Sequence, residues 1–125
     1  SNTKMTATLT TFGSPLCSRK GPHDSIDSEG FFFVDDGMIV VHHELKMIGI
    51  FENADIIRSA PVLEINLTTA TQITFKKIRS SNNTFAGGRV RITGIFDRGY
   101  EETVTIKMYT DEYKRLGRLL RGLGI

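Results

Sequence analysis

Apolar and polar residues alternate along the second half of the chain with the period of an extended strand. Leu63, Ile65 and Leu67 alternate with Glu64, Asn66 and Thr68, and Ile73 and Phe75 with Thr74 and Lys76. Val90 and Ile92 lie among Arg89, Arg91 and Thr93; Val104, Ile106 and Met108 lie among Thr103, Thr105, Lys107 and Tyr109. Neighbouring side chains on a strand point to opposite sides, so the pattern predicts four antiparallel strands with one face on a core and one in water. Asp97-Arg98-Gly99 supplies a hairpin corner, and the polar run 79–88 predicts a loop.

The period changes at Thr110. Tyr113, Leu116, Leu120 and Leu123 follow at helical spacing with Leu119 beside them, and Lys114, Arg115, Arg118 and Arg121 fill the rest of the circumference. This predicts a helix over 110–123, with Thr110 or Asp111 as N-cap, stopped by Gly122 and Gly124. Gly117 inside it costs about 1 kcal/mol relative to alanine, which predicts a close neighbour there.

The first half is less regular. A threonine-rich stretch, 4–12, predicts a strand. Residues 13–30 carry Gly13, Pro15, Gly21, Pro22 and Gly30 and predict one long loop holding Cys17 and His23. Phe31–Val34 and Met38–His43 predict strands on either side of an Asp35-Asp36-Gly37 corner, and Leu45–Phe51 another, with Gly49 as a bulge or close approach. Asn53–Ser59 fits a helical turn or a strand, ended by Pro61.

With 125 residues the chain is one domain. The elements add up to a mainly β fold (α+β by count): an antiparallel barrel or sandwich of about seven strands, its open end plugged by the leucine-striped C-terminal helix. Three stretches carry a resemblance: Val62–Phe75 with its apolar strand, polar link and second strand; Arg89–Thr93 followed by Thr103–Met108; and Tyr113–Leu123. They resemble the central strands, last hairpin and closing helix of PH-like domains of the GRAM and bacterial PH-like families. That resemblance implies a single PH-like domain over 1–125 and a non-catalytic scaffold that binds lipid headgroups, peptides or sister domains.

The net charge of +2 hides an asymmetry. Residues 1–59 hold 5 Lys/Arg against 8 Asp/Glu, while residues 60–125 hold 11 against 6. An anionic partner is therefore drawn to the second half. If strands 71–78 and 89–96 pair, Lys76 shares the solvent side with Arg89 and Arg91. Arg79 in the loop joins them, and Phe85 at the loop tip offers an apolar anchor. This basic hairpin, or an exposed strand edge, is the candidate binding site. Its partner is expected to be a protein, a second copy of the chain or an anionic lipid headgroup. The plain alternative is solvated lysine and arginine on an exposed sheet. The basic helix face lacks aromatic stacking platforms, which ranks nucleic acid low.

Other constellations are weaker. His42-His43-Glu44 suggests a metal or small-ligand pocket only if one imidazole meets His23 or the Asp35-Asp36 turn, since adjacent strand residues diverge. Cys17 with His23 would need a fixed base to act as a nucleophile, and an incidental exposed thiol is the simpler expectation. Glu101 and Glu102 are adjacent carboxylates, expected to be solvated. Gly87-Gly88 lacks phosphate-loop spacing and fits a hairpin or bulge. No cofactor is implied. One cysteine and no apolar run near ~20 residues suggest a cytoplasmic setting without a transmembrane segment.

Overall fold

A computed structural model of the chain describes residues 8–13, 15–22, 24, 37–52, 60–79 and 86–125, and the backbone of 31–33. These form nine strand segments and one helix: β1 Leu9–Gly13, β2 Leu16–Lys20, β3 Phe31–Phe33, β4 Met38–His42, β5 Met47–Phe51, β6 Leu63–Asn66, β7 Gln72–Ile78, β8 Gly87–Ile95, β9 Glu101–Tyr109 and α1 Thr110–Gly122. One antiparallel sheet has the order β1-β4-β5-β6 and the other β3-β2-β9-β8-β7.

The first two arms of the chain serve both sheets. β1 pairs with β4, Leu9 opposite His42 and Gly13 opposite Met38. β2, two residues further on, pairs with β3 on one side and β9 on the other. The outgoing arm β1–β2 and the return arm β3–β4 are thus two sides of one long hairpin divided between the sheets. This corrects two expectations. The stretch 13–30 is not one long loop, because β2 lies within it, and β3 and β4 do not pair across Asp35-Asp36-Gly37 but belong to different sheets. Asp35 and Asp36, like 53–59, lie outside the described residues.

The expected alternation of buried and exposed residues holds on β6, β8 and β9, whereas on β7 Ile73 is half-buried and Phe75 exposed, because the helix covers β8 rather than this edge strand. Leu63, Ile65, Val90, Ile92, Val104, Ile106 and Met108 are buried in one cluster with Phe12, Ile39, Val41, Ile48 and Ile50. Leu116 and Leu120 of α1 complete it. The corner after β8 also forms: the Gly99 amide donates to Phe96 O at 3.2 Å, and Gly99 takes φ +79°.

The helix is held at two points. Tyr113 lies on the backbone of β8 at Gly88, where an added Cβ would sit 2.2 Å from the ring. Gly87 and Gly88 are therefore buried strand residues, not part of a turn, and Gly88 is the place where another group comes close. Gly117, expected to mark that approach, would meet only the end of Arg121 at 3.3 Å and Phe75 at 3.9 Å. At the second point Arg115 reaches the other sheet. Its Nη2 donates to Thr11 O at 2.7 Å, and its guanidinium stands 4.2 Å from the Phe12 ring centroid. The helix begins from extended Tyr109 with no side-chain cap, so Thr110 and Asp111 sit inside the first turn, where Asp111 and Glu112 complement the helix dipole. It ends in a Schellman motif: the Gly124 amide donates to Arg121 O and the Ile125 amide to Leu120 O, with Gly124 at φ +80°.

A buried ion pair joins β2 to β9. The Arg19 Nε and Nη2 donate to the two Glu102 oxygens at 2.6 and 2.8 Å, and Nη2 also reaches Asp97. The Glu102 side chain is fully buried and that of Arg19 is 10% exposed. Glu102 is thus not a solvated carboxylate, and the two-point geometry is what makes its burial tolerable.

Two outcomes follow from these contacts. Gly88→Ala should cost about 1–3 kcal/mol by driving Tyr113 off β8, measured by urea unfolding; Tyr113→Ala in the same chain should recover part of that loss. Arg19 holds the Asp97 carboxyl below its ordinary range, chiefly through the hydrogen bond. A depressed folded-state pKa contributes stability above the unfolded value of about 3.9 that is lost as pH falls through the folded one. Asp97→Asn should therefore lower stability at neutral pH and flatten the acid limb of a thermal-stability profile, the two chains converging at the lowest pH where the native carboxyl is protonated.

Candidate anion-binding face

The outward side of the five-stranded sheet carries the candidate residues in rows fixed by strand register. Lys76 on β7 is directly opposite Arg89 on β8, and Arg89 is opposite Lys107 on β9. One row along, Thr74, Arg91 and Thr105 stand in line; the next row holds Gln72, Thr93, Thr103 and Lys20. Strand pairing thus gathers Lys76, Arg89 and Arg91 on one face. Arg79 follows the end of β7 and is exposed. Phe85 lies outside the described residues.

The lower rows form a cleft of about 510 Å³, lined by hydroxyls from Thr74, Thr93, Thr103 and Thr105, by Gln72, Lys20 and Arg91, and by Gly21 and Asp24, whose carboxylate accepts the Gly21 amide. Thr93 and Thr103 share a hydrogen bond of 2.9 Å, and Arg91 Nε donates to Thr105 Oγ1 at 3.4 Å. The arrangement offers cationic and hydroxyl donors side by side, a donor set suited to an anionic oxygen group. Like charges placed directly opposite across strands repel. Lys76 and Arg89 do so with no carboxylate within ion-pair distance among the described residues. Lys20 and Lys107 extend the set beyond the hairpin; Lys20 was hidden from sequence reasoning because β2 was hidden.

The histidines do different work. His42 closes β4, and its Nδ1 accepts the Leu45 amide at 3.1 Å. Glu44 Oε2 approaches the same nitrogen to 3.7 Å. His43 Nε2 and Thr10 Oγ1 are hydrogen-bonded at 2.8 Å. Glu44 accepts the Thr8 amide at 3.0 Å, and backbone amides hold its carboxyl below the usual range. His42-His43-Glu44 therefore fastens the start of β1 to the β4–β5 turn. His23, Asp35 and Asp36 lie outside the described residues, and among the described residues no three metal-ligating side chains gather. On the outward side of the four-stranded sheet, Leu9, Val40, Met47, Phe51 and Pro61 line a mostly apolar groove of about 350 Å³, with His42 and Glu64 among its walls.

Cys17 is a core residue, neither a loop nucleophile nor an exposed thiol. It pairs with Ile106 in the sheet and is fully buried. Burial pushes its pKa up to about 12, so the nucleophilic thiolate is absent at neutral pH.

Comparison of the chain with protein-family models, with curated proteins and with solved structures finds no match. Among the described residues, no helix is long and apolar enough to cross a membrane.

Cys17 provides a direct probe of the core. A maleimide reagent should leave the native protein unlabelled at neutral pH and label it at unit stoichiometry once urea unfolds it.

Proposed function

We propose that the chain is a non-catalytic binding module of the PH-like kind that engages an anionic surface through the outward face of its β7–β8 hairpin. The observation that carries this reading is the direct opposition of Lys76 and Arg89, continued by Lys107 on β9. The opposition of Lys76 and Arg89 costs folding energy in the free protein, and an anion bridging those two returns it. The threonine-lined cleft beside the row adds neutral donors for the same partner.

The architecture is in keeping with the PH-like part of the proposal. A long first hairpin shared between two sheets gives the neighbour order β6, β5, β4/β3, β1/β2, β9, β8, β7, and one helix follows the last strand. The chain's chemistry also favours binding over catalysis. Its cysteine is buried, its described histidines fasten a turn, and Glu102 is committed to Arg19. A metal or small-ligand pocket on His42 or His43 gains no support from these contacts.

Co-sedimentation with phosphatidylserine-containing vesicles tests the proposal. Binding should weaken as salt is raised, because surface charges are screened within about 8 Å at physiological ionic strength. Reversing both charges, Lys76→Glu with Arg89→Glu, should weaken it by at least about tenfold, since each basic residue near such a surface contributes about 1 kcal/mol. Vesicle binding unchanged by the double reversal would remove this face from the account.

A further inference from the structure

A second cationic surface lies on the opposite side of β7. Lys76 points outward with Arg89, so Phe75 and Lys77 point the other way, toward α1. There they form one wall of a groove of about 480 Å³; the other wall is Tyr113, Lys114, Gly117, Arg118 and Arg121 of the helix. The floor is apolar. The Phe75 ring meets Tyr113 at a centroid distance of 6.3 Å and 59°, yet the residue stays 41% exposed although Val90, its partner on β8, is fully buried. Gly117 leaves the helix wall without a side chain at the point nearest Phe75.

The rim has one sign. Lys77, Lys114, Arg118 and Arg121 supply four cations, and no carboxylate among the lining residues answers them. Lys114, Arg118 and Arg121 follow helical spacing along one side of α1, so the charge is drawn out along the groove. Among the described residues β7 is also the last strand of its sheet, paired with β8 alone over seven residues. An edge strand offers a row of backbone donors and acceptors to a further strand. Charge, apolar floor and open backbone edge thus run side by side in one direction.

We infer that this groove binds an extended acidic peptide segment, which adds to the β7 edge as a strand and seats alternate side chains between Phe75, Tyr113 and Gly117. Main-chain pairing with β7 supplies the common part of the affinity, and the groove selects side chains at every second position. Among the groove-facing side chains, apolar ones cover Phe75 and Tyr113 and acidic ones meet the cationic rim, while the intervening side chains face outward beside Lys76. The elongated charge and the strand edge together favour a peptide over a flat lipid surface, which would meet Lys76 and Arg89 on the other side. This site is separate from the anion-binding face and stands or falls without it.

The test uses a peptide of about ten residues with threonine at every second position and glutamate and valine in turn at the positions between, so that both face the groove, titrated into the isotopically labelled full chain and followed by amide chemical shifts. Shifts should concentrate at Gln72–Ile78 and Tyr113–Arg121, and the same peptide with lysine in place of glutamate should not produce them. Lys114→Glu with Arg118→Glu should weaken binding by about tenfold or more. Gly117→Met, which fills the groove without changing charge and favours the helix, should weaken it by a similar factor while circular dichroism shows the fold intact. Lys76→Glu with Arg89→Glu should leave peptide binding within about twofold, since those charges face the other way. No saturable shifts up to about 1 mM peptide, shifts confined to the outward face, or equal binding by the Gly117→Met chain would overturn the inference. So would loss of vesicle binding, with peptide binding unchanged, in the Lys114/Arg118 reversal, which would assign the groove to a lipid surface.

Discussion

Ile48, Ile50, Ile65, Ile92, Ile106 and Leu116 are buried in a single cluster, and every surface described above exists because those side chains are turned inward. The two sheets each have one apolar face and neither can shed it into water alone. Burying both faces in one core sets which side of each strand remains outside. On β8 it leaves Arg89 and Arg91 out when Val90 and Ile92 go in; on β9 it leaves Lys107 out when Ile106 and Met108 go in. The cationic face is therefore a consequence of packing: a one-residue slip in either strand would bury the charges and expose the isoleucines.

The helix is tied to this core by contacts of different kinds at its two sides. Tyr113 lies on Gly88, where the absence of a side chain lets an aromatic ring touch strand backbone. Arg115 crosses to β1 through a carbonyl and the face of Phe12. Leu116 and Leu120 between them fill the core. Because the tight contact falls on β8 rather than β7, the helix stops short of the sheet edge. Phe75 on β7 is left half covered, and the groove opens beside it. The looseness at Gly117 and the tightness at Gly88 are two results of the same docking position.

Charge is used in two ways. Arg19 and Glu102 are taken out of water together, in a two-point pair that stitches β2 to β9 near the β8–β9 corner. Such a pair tolerates no loss of one partner, because the remaining charge would be buried alone. Lys76 and Arg89, by contrast, stay at the surface beside each other. The first arrangement is complete within the chain; the second sets two like charges side by side. The histidines belong with the first kind, their ring nitrogens holding a turn against β1.

Local pattern determined much of this protein. The alternation in 63–67, 89–93 and 103–109 set which side chains enter the core, and in 73–76 it set only which side they face, because a strand's two-residue period is a property of the backbone itself. The change to helical spacing after Thr110 placed α1 in the same way, and with the strands it placed Lys76, Arg89 and Arg91 on a common face. Tertiary structure decided what depends on distant partners. β2 was concealed by the glycines and prolines around it and by Ser18 and Arg19 within it. Arg19 faces inward only because Glu102, 83 residues away, is there to receive it. The split of the first hairpin between two sheets, the seating of Tyr113 on Gly88 and the groove beside β7 likewise arise where separate elements meet. Periodicity within a segment carries no information about which other segment will press against it.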